Sequence, residues 1–207
     1  HLQWIEVLKK RESLLSRRNF LKNKFFSKIP NDSKIVFFIS EPQPPIENNY
    51  QPINFRGWDN SKKRTHICFQ EIIKSLDKLN FKYHIIFKLH PKDNKHDYNK
   101  YKNMIYKFEK GTELNHELMV ASDLVVGMTS NLIFQSVVLG LPTISINMSK
   151  KEKELIPNEI GEQLVSVRKE YELDAHVKNK ITYFKPNVFK TNCVTSDVNI
   201  KKFFNSI

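Results

Sequence analysis

The chain has 207 residues, a formal net charge of +12 and a pI near 9.6, a length that fits one ordinary domain with an appended helix or tail. Hydrophobic residues make up 40% of it, with 15 Phe and 7 Tyr, enough for a packed core and too many for a disordered body. No apolar run approaches the ~18 residues of a spanning helix, and Cys68 and Cys193 match neither a metal spacing nor a disulfide framework.

The first stretch, Leu2 to Phe26, reads as one basic helix. Ile5, Leu8, Leu14, Leu15, Leu21 and Phe25 recur at helical spacing among Lys9, Lys10, Arg11, Arg17, Arg18, Lys22 and Lys24. Such a helix either packs its apolar stripe on its own domain, the favoured reading, or lies on an anionic membrane face. Pro30 and Asn31-Asp32 end it, which divides the chain into a helix or linker over residues 1–32 and a main domain over 33–207. Ile35-Val36-Phe37-Phe38-Ile39 is a continuous apolar run of strand length, as in a parallel sheet covered on both faces. A Pro- and Asn-rich loop follows Ser40-Glu41-Pro42 as far as about Trp58, then a helix from Thr65 to Leu79.

Tyr83 to Leu89 is the second strand. His90-Pro91 terminates it, because proline cannot donate to the ladder. A short helix over Asp97–Asn103, a strand over Ile105–Phe108 and a helix from Thr112 to Ala121 come next. Leu124–Val126 is a short buried strand, Ser130–Leu139 a helix stopped by Gly140, and Thr143–Ile146 another strand. Lys150–Glu154 starts a solvated helix. Leu164–Val167 is a further strand candidate. Leu173–Phe184 and Val198–Phe204 close the chain as helices, the second capped by Ser196 or Asp197. Wholly apolar strands alternating with helices predict an α/β fold with a doubly wound, mostly parallel sheet.

In such a sheet ligands bind outside the carboxyl ends of the strands. Those ends carry Ser40 and Glu41, then His90, Pro91 and Lys92, then Gly127-Met128-Thr129-Ser130-Asn131, then Asn147. The third group opens a helix, whose unpaired N–H groups and partial positive charge suit a phosphate. Gly127 permits a close turn there, while Thr129, Ser130 or Asn131 can equally serve only as a cap. His90 can donate to a phosphate oxygen and stabilise charge on a departing group.

Lys88-Leu89-His90-Pro91, Asp123-Leu124-Val125-Val126-Gly127-Met128-Thr129-Ser130 and Leu139-Gly140-Leu141-Pro142-Thr143-Ile144 together resemble the C-terminal half of a GT-B glycosyltransferase. The likeness is to bacterial surface-polysaccharide enzymes with HP and Ser/Thr motifs: sialyltransferases, Kdo transferases and CDP-glycerol glycerophosphotransferases. It covers roughly residues 33–150. The resemblance implies a Rossmann-like domain that binds a nucleotide-sugar donor, CMP-linked by preference, and transfers it with inversion to a glycan or lipid-linked acceptor. His90 would then contact the donor phosphate and ease departure of the nucleotide. Pro91 would shape that loop, and Thr129 and Ser130, beside Gly127 and Asn131, would bind phosphate. Ser40 and Glu41 would face the interdomain cleft. Neither metal nor cofactor is implied, and the setting would be cytoplasmic, with peripheral contact at the inner membrane face as an option.

Two departures matter. Phe134-Gln135-Ser136 lacks the acid with which many UDP-sugar enzymes hold the ribose. This disfavours a UDP-sugar donor and the related epimerases, though an epimerase half-domain stays an alternative. The family's acidic general base belongs to the N-terminal domain, and the start at His1 suggests a fragment, so nucleotide binding without turnover is expected. A non-catalytic nucleotide- or glycan-binding module is the other reading.

Zinc-finger spacing, an RNP-like aromatic signature and a GXXG clamp are all lacking, so no nucleic-acid partner is expected despite the charge. No GxSxG elbow, P-loop or GxGxxG occurs. His84, His96 and His116 read as structural or surface residues. His66 and Arg56, near the long loop, are candidates for an acceptor or donor phosphate, and Cys68 reads as core.

Overall fold

A computed structural model describes residues 2–41, 55–59, 61, 63–182 and 186. The Pro/Asn-rich segment 42–54, Cys193, the expected cap at Ser196 or Asp197 and the expected closing helix Val198–Phe204 lie outside the described residues. The strands are β1 (Lys34–Ile39), β2 (Tyr83–Lys88), β3 (Lys107–Glu109), β4 (Leu124–Gly127), β5 (Thr143–Ile146) and β6 (Val165–Val167). They form one sheet in the order β3-β2-β1-β4-β5-β6, with every pairing parallel. The helices are α1 (Leu2–Ser16), α2 (Arg18–Phe26), α3 (Arg64–Asp77), α4 (Asn115–Ala121), α5 (Asn131–Val138), α6 (Lys150–Glu154), α7 (Asn158–Gly161) and α8 (Glu170–Thr182). The result is a doubly wound, Rossmann-like α/β domain.

The uninterrupted apolar strands are explained by two cores. Successive side chains alternate between the faces of a sheet. Val36, Phe38, Ile85, Phe87, Val126 and Ile144 pack with residues of α3 and α8. Ile35, Phe37, Ile39, Ile86 and Val125 pack with residues of α1, α2, α4 and α5 on the other face. Both faces are covered, so neither set of positions tolerates polar residues.

The basic segment is two helices rather than one, separated at Arg17. Val7, Leu14, Leu21 and Phe26 bury its apolar stripe against the second core. Several cations of this segment are used internally. The Arg18 guanidinium donates to the Val120 carbonyl, to the Ser122 carbonyl (2.6 Å) and to Asp123 (2.7 Å). Lys22 pairs with the same carboxylate at 3.2 Å, and Asp123 also accepts the Ile35 amide at 2.8 Å. The break lets Arg18 reach the carbonyls that end α4. No helix among the described residues is long and apolar enough to cross a membrane.

Residues Lys95–Met104 form a 3-10 helix. Tyr98 and Tyr101, 4% and 1% exposed, are three residues apart, and a three-residue turn puts both on one face. The helix expected from Thr112 starts only at Asn115, and α7 went unanticipated because four residues are too short to show a period. Gly140, at φ 76°, turns the chain out of α5 in the left-handed conformation that stops a helix.

Candidate functional site

The strand order decides which loops meet. The chain steps from β1 outward through β2 to β3, then crosses back to place β4 on the other side of β1. The crevice at the carboxyl ends of β1 and β4 is therefore the switch point at which sheets of this kind take ligands. The loop after β2 and the turn after β4 flank the end of β1. At ~4.8 Å per strand they stand roughly 10 Å apart.

Ser40 and Glu41, consecutive at the end of β1, fasten one neighbour each. The buried Ser40 hydroxyl accepts the His90 amide at 2.8 Å and is shared between the Lys88 carbonyl (2.9 Å) and the Asp93 carboxylate. Asp93 also accepts the His90 amide (3.2 Å) and the Tyr98 hydroxyl (3.3 Å). These bonds hold the backbone of the His90-Pro91 loop and leave the half-buried ring of His90 to other partners. His90 Nδ1 accepts the Lys92 amide at 3.2 Å. In the neutral ring the proton then sits on Nε2, which makes that nitrogen a hydrogen-bond donor. Pro91 is exposed and fixes the backbone between His90 and Lys92.

On the other side, the Glu41 carboxylate accepts the Thr129 amide at 2.6 Å and the Thr129 hydroxyl at 3.2 Å, and it also takes the Ser130 amide. A side chain of the protein thus occupies the donors that open α5, where a phosphate is expected. Glu41 is 8% exposed. Burial raises its pKa above the usual carboxylate value, against the pull of Arg64 and of the bonds from Thr129 and Ser130. Ser130 is the N-cap of α5, yet its hydroxyl makes no hydrogen bond among the described residues. Asn131 is exposed at the first helical position.

Gly127 is required for a reason different from a turn. It ends β4 without a positive φ. A Cβ there would lie 2.8 Å from Ile133 Cδ1 and 3.3 Å from Ile39 Cβ. The glycine lets α5 close onto the sheet, which aims its first turn over the crevice.

The remaining histidines are placed as follows. His84 packs edge-on against Tyr106, His116 hydrogen-bonds Gln135 at 2.9 Å, and His96 is exposed on the 3-10 helix. Cys68 is wholly buried in the core. Arg56 is exposed, whereas His66 is 5% exposed against Tyr98 and Tyr101. Two residues of the site escaped sequence reasoning. Asp93 carries a usable signal, an acid three positions after a strand-ending His-Pro, where it can close a turn. Arg64, buried with Glu152 at 2.9 Å, carries none, since a basic residue opening a helix reads as surface.

Compared with models of known protein families and with curated proteins, the sequence matches none.

Proposed function

We propose that this domain binds a nucleotide-activated sugar at its carboxyl edge, as one lobe of a metal-independent, inverting GT-B-type glycosyltransferase, with a CMP-sugar as the preferred donor. The observation that carries the reading is the pair Ser40–Glu41. It ties the His90 loop to one side of the switch point and the Thr129–Ser130 turn to the other, so two distant sequence segments become one rim.

On this reading His90 Nε2–H donates to the donor's phosphate and offsets the charge that grows on the departing nucleotide. The Ser130 hydroxyl supplies a second donor, and Pro91 keeps the His90 loop from swinging. The acid that activates the acceptor hydroxyl belongs to a partner lobe, and the acceptor is a glycan or a lipid-linked sugar. Calorimetry on the whole chain tests this with CMP, CDP and UDP. CMP should bind best, and His90→Ala and Ser130→Ala should each weaken it by ~1.5–3 kcal/mol. A folded sample that binds none of the three nucleotides sinks the proposal.

One observation favours a second reading. Glu41 already fills the opening of α5, which suits a non-catalytic module that recognises glycans without a nucleotide. Binding to oligosaccharides in nucleotide-free buffer, with no response to CMP, is the outcome that would select it.

A further inference from the structure

A cavity of ≈250 Å³ lies beside the switch point, between the end of β1, the first turn of α3 and the loop after β2. Glu41, Lys63, Arg64, His66, Lys92 and Asp93 are on its wall, with Asp97 and Tyr98. Its acids and its donors are in unequal states. Asp93 is engaged by Ser40, His90 and Tyr98. Asp97 pairs with Lys63 at 3.1 Å, and Glu41 is held by Thr129. The Thr65 hydroxyl donates back to the Glu41 carbonyl at 2.6 Å.

Two buried donors are less fully engaged. His66, 5% exposed, has a hydrogen-bond partner at neither ring nitrogen among the described residues. Arg64, 4% exposed, meets Glu152 through one terminal nitrogen and leaves its Nε–H without a hydrogen bond among them. The first turn of α3 adds backbone N–H groups that no side chain caps among the described residues. Lys92 stands exposed at the mouth. Buried polar groups without partners are rare, and each calls for an explanation such as a bound group. Both Arg64 and His66 line one cavity, and what their unpartnered groups lack is an acceptor.

We propose that this cavity binds a small oxyanion, a phosphate or a carboxylate, through His66, the Arg64 Nε–H, the first turn of α3 and Lys92. His90, which would meet the donor's phosphate, is not one of its lining residues. In the context of the proposed function, from which this role is taken, the cavity receives a second anionic group of donor or acceptor. His66 also supplies the readout. Burial, then Lys100 and Lys63, push its pKa down to about 4, with Asp59 and Asp97 opposing. An anion beside the ring favours its charged form and raises that pKa.

The test is a titration of the whole chain with inorganic phosphate and, separately, with acetate, following the His66 ring signals by NMR across pH. A saturable change with a raised His66 pKa is expected from one of the two, phosphate marking a phosphoryl ligand and acetate a carboxylate. His66→Phe keeps the ring packing and should weaken binding, read by the backbone amides of α3, at least ~10-fold. Lys92→Ala, at an exposed position, should weaken it by a smaller factor without affecting folding. No saturable response to either anion, or a response that both variants leave unchanged, overturns the proposal. Phosphate binding at His66 without CMP binding would sink the proposed function and leave this site standing. CMP binding that depends on His90, with both anions silent, would do the reverse.

Discussion

Glu41→Gln separates a ligand site from a decorative one. The Glu41 carboxylate holds the Thr129 amide at 2.6 Å, the Thr129 hydroxyl at 3.2 Å and the Ser130 amide. A nucleotide phosphate that takes the opening of α5 must displace it. Once displaced, the Glu41 carboxylate still repels the phosphate that takes its place, whereas an amide does not; two unit charges ~8 Å apart in an effective dielectric of ~20 repel by about 2 kcal/mol. Removing that repulsion should give about a 30-fold gain in CMP affinity. The same change should not cost stability. Burial is the largest influence on Glu41 and raises its pKa, so the site favours the neutral form, and the melting temperature should stay level or rise. A raised carboxyl pKa means that the fold gains from the neutral form below the unfolded value, and loses that gain as pH climbs through the folded value. The advantage of Glu41→Gln in CMP affinity should therefore vanish at acid pH, where Glu41 itself is protonated, and open as pH rises. Calorimetry on both proteins across pH makes the measurement, and their difference cancels the titration of CMP itself. An unchanged or weaker affinity for CMP in Glu41→Gln at neutral pH would refute the idea that phosphate binds where Glu41 sits.

Gly127→Ala would push a methyl to 2.8 Å from Ile133 Cδ1, and overpacking of this kind costs ~1–3 kcal/mol. Ile133→Ala deletes that atom and Cγ1, which would lie at 2.9 Å, so urea denaturation of the double variant should show less loss than the sum of the two singles, and strict additivity would contradict the clash. Asp123→Ala should cost ~3–5 kcal/mol, since it removes the carboxylate that offsets the part-buried Arg18 charge and accepts the Ile35 amide. Asp123→Asn, which can still accept the amide, should cost less in the same denaturation assay. Cys68 is wholly buried, and burial pushes its thiol pKa well up, while thiol reagents need the thiolate. In a Cys193→Ser chain, Ellman's reagent should react only after denaturant is added, and fast labelling of the native protein would mean that α3 opens.

Much of the architecture is written in local pattern. Ile35–Ile39 and Leu124–Val126 announce strands covered on both faces, and the two cores are the cause. His90-Pro91 must end a strand because proline breaks the ladder, and Gly140 must end a helix because it takes a positive φ. These are statements about a residue and its chain neighbours, which periodicity and backbone sterics determine. The strand order is of another kind. Nothing local places β1 between β2 and β4, yet that order makes Ser40 reach His90 and Glu41 reach Thr129. Gly127 shows the same limit: a turn was the local reading, and contact with Ile133 of the overlying helix is the requirement. The N-terminal stretch reads as one helix by its period but breaks at Arg17, where Arg18 reaches the carbonyls ending α4. The sequence alone thus identified the segments that reach the carboxyl edge. Only the tertiary structure decided that a carboxylate of the protein's own occupies the opening of α5, while the Arg64 Nε–H and the His66 ring nitrogens have no hydrogen-bond partner among the described residues, because hydrogen-bond pairing depends on which distant backbones the fold brings within 3 Å.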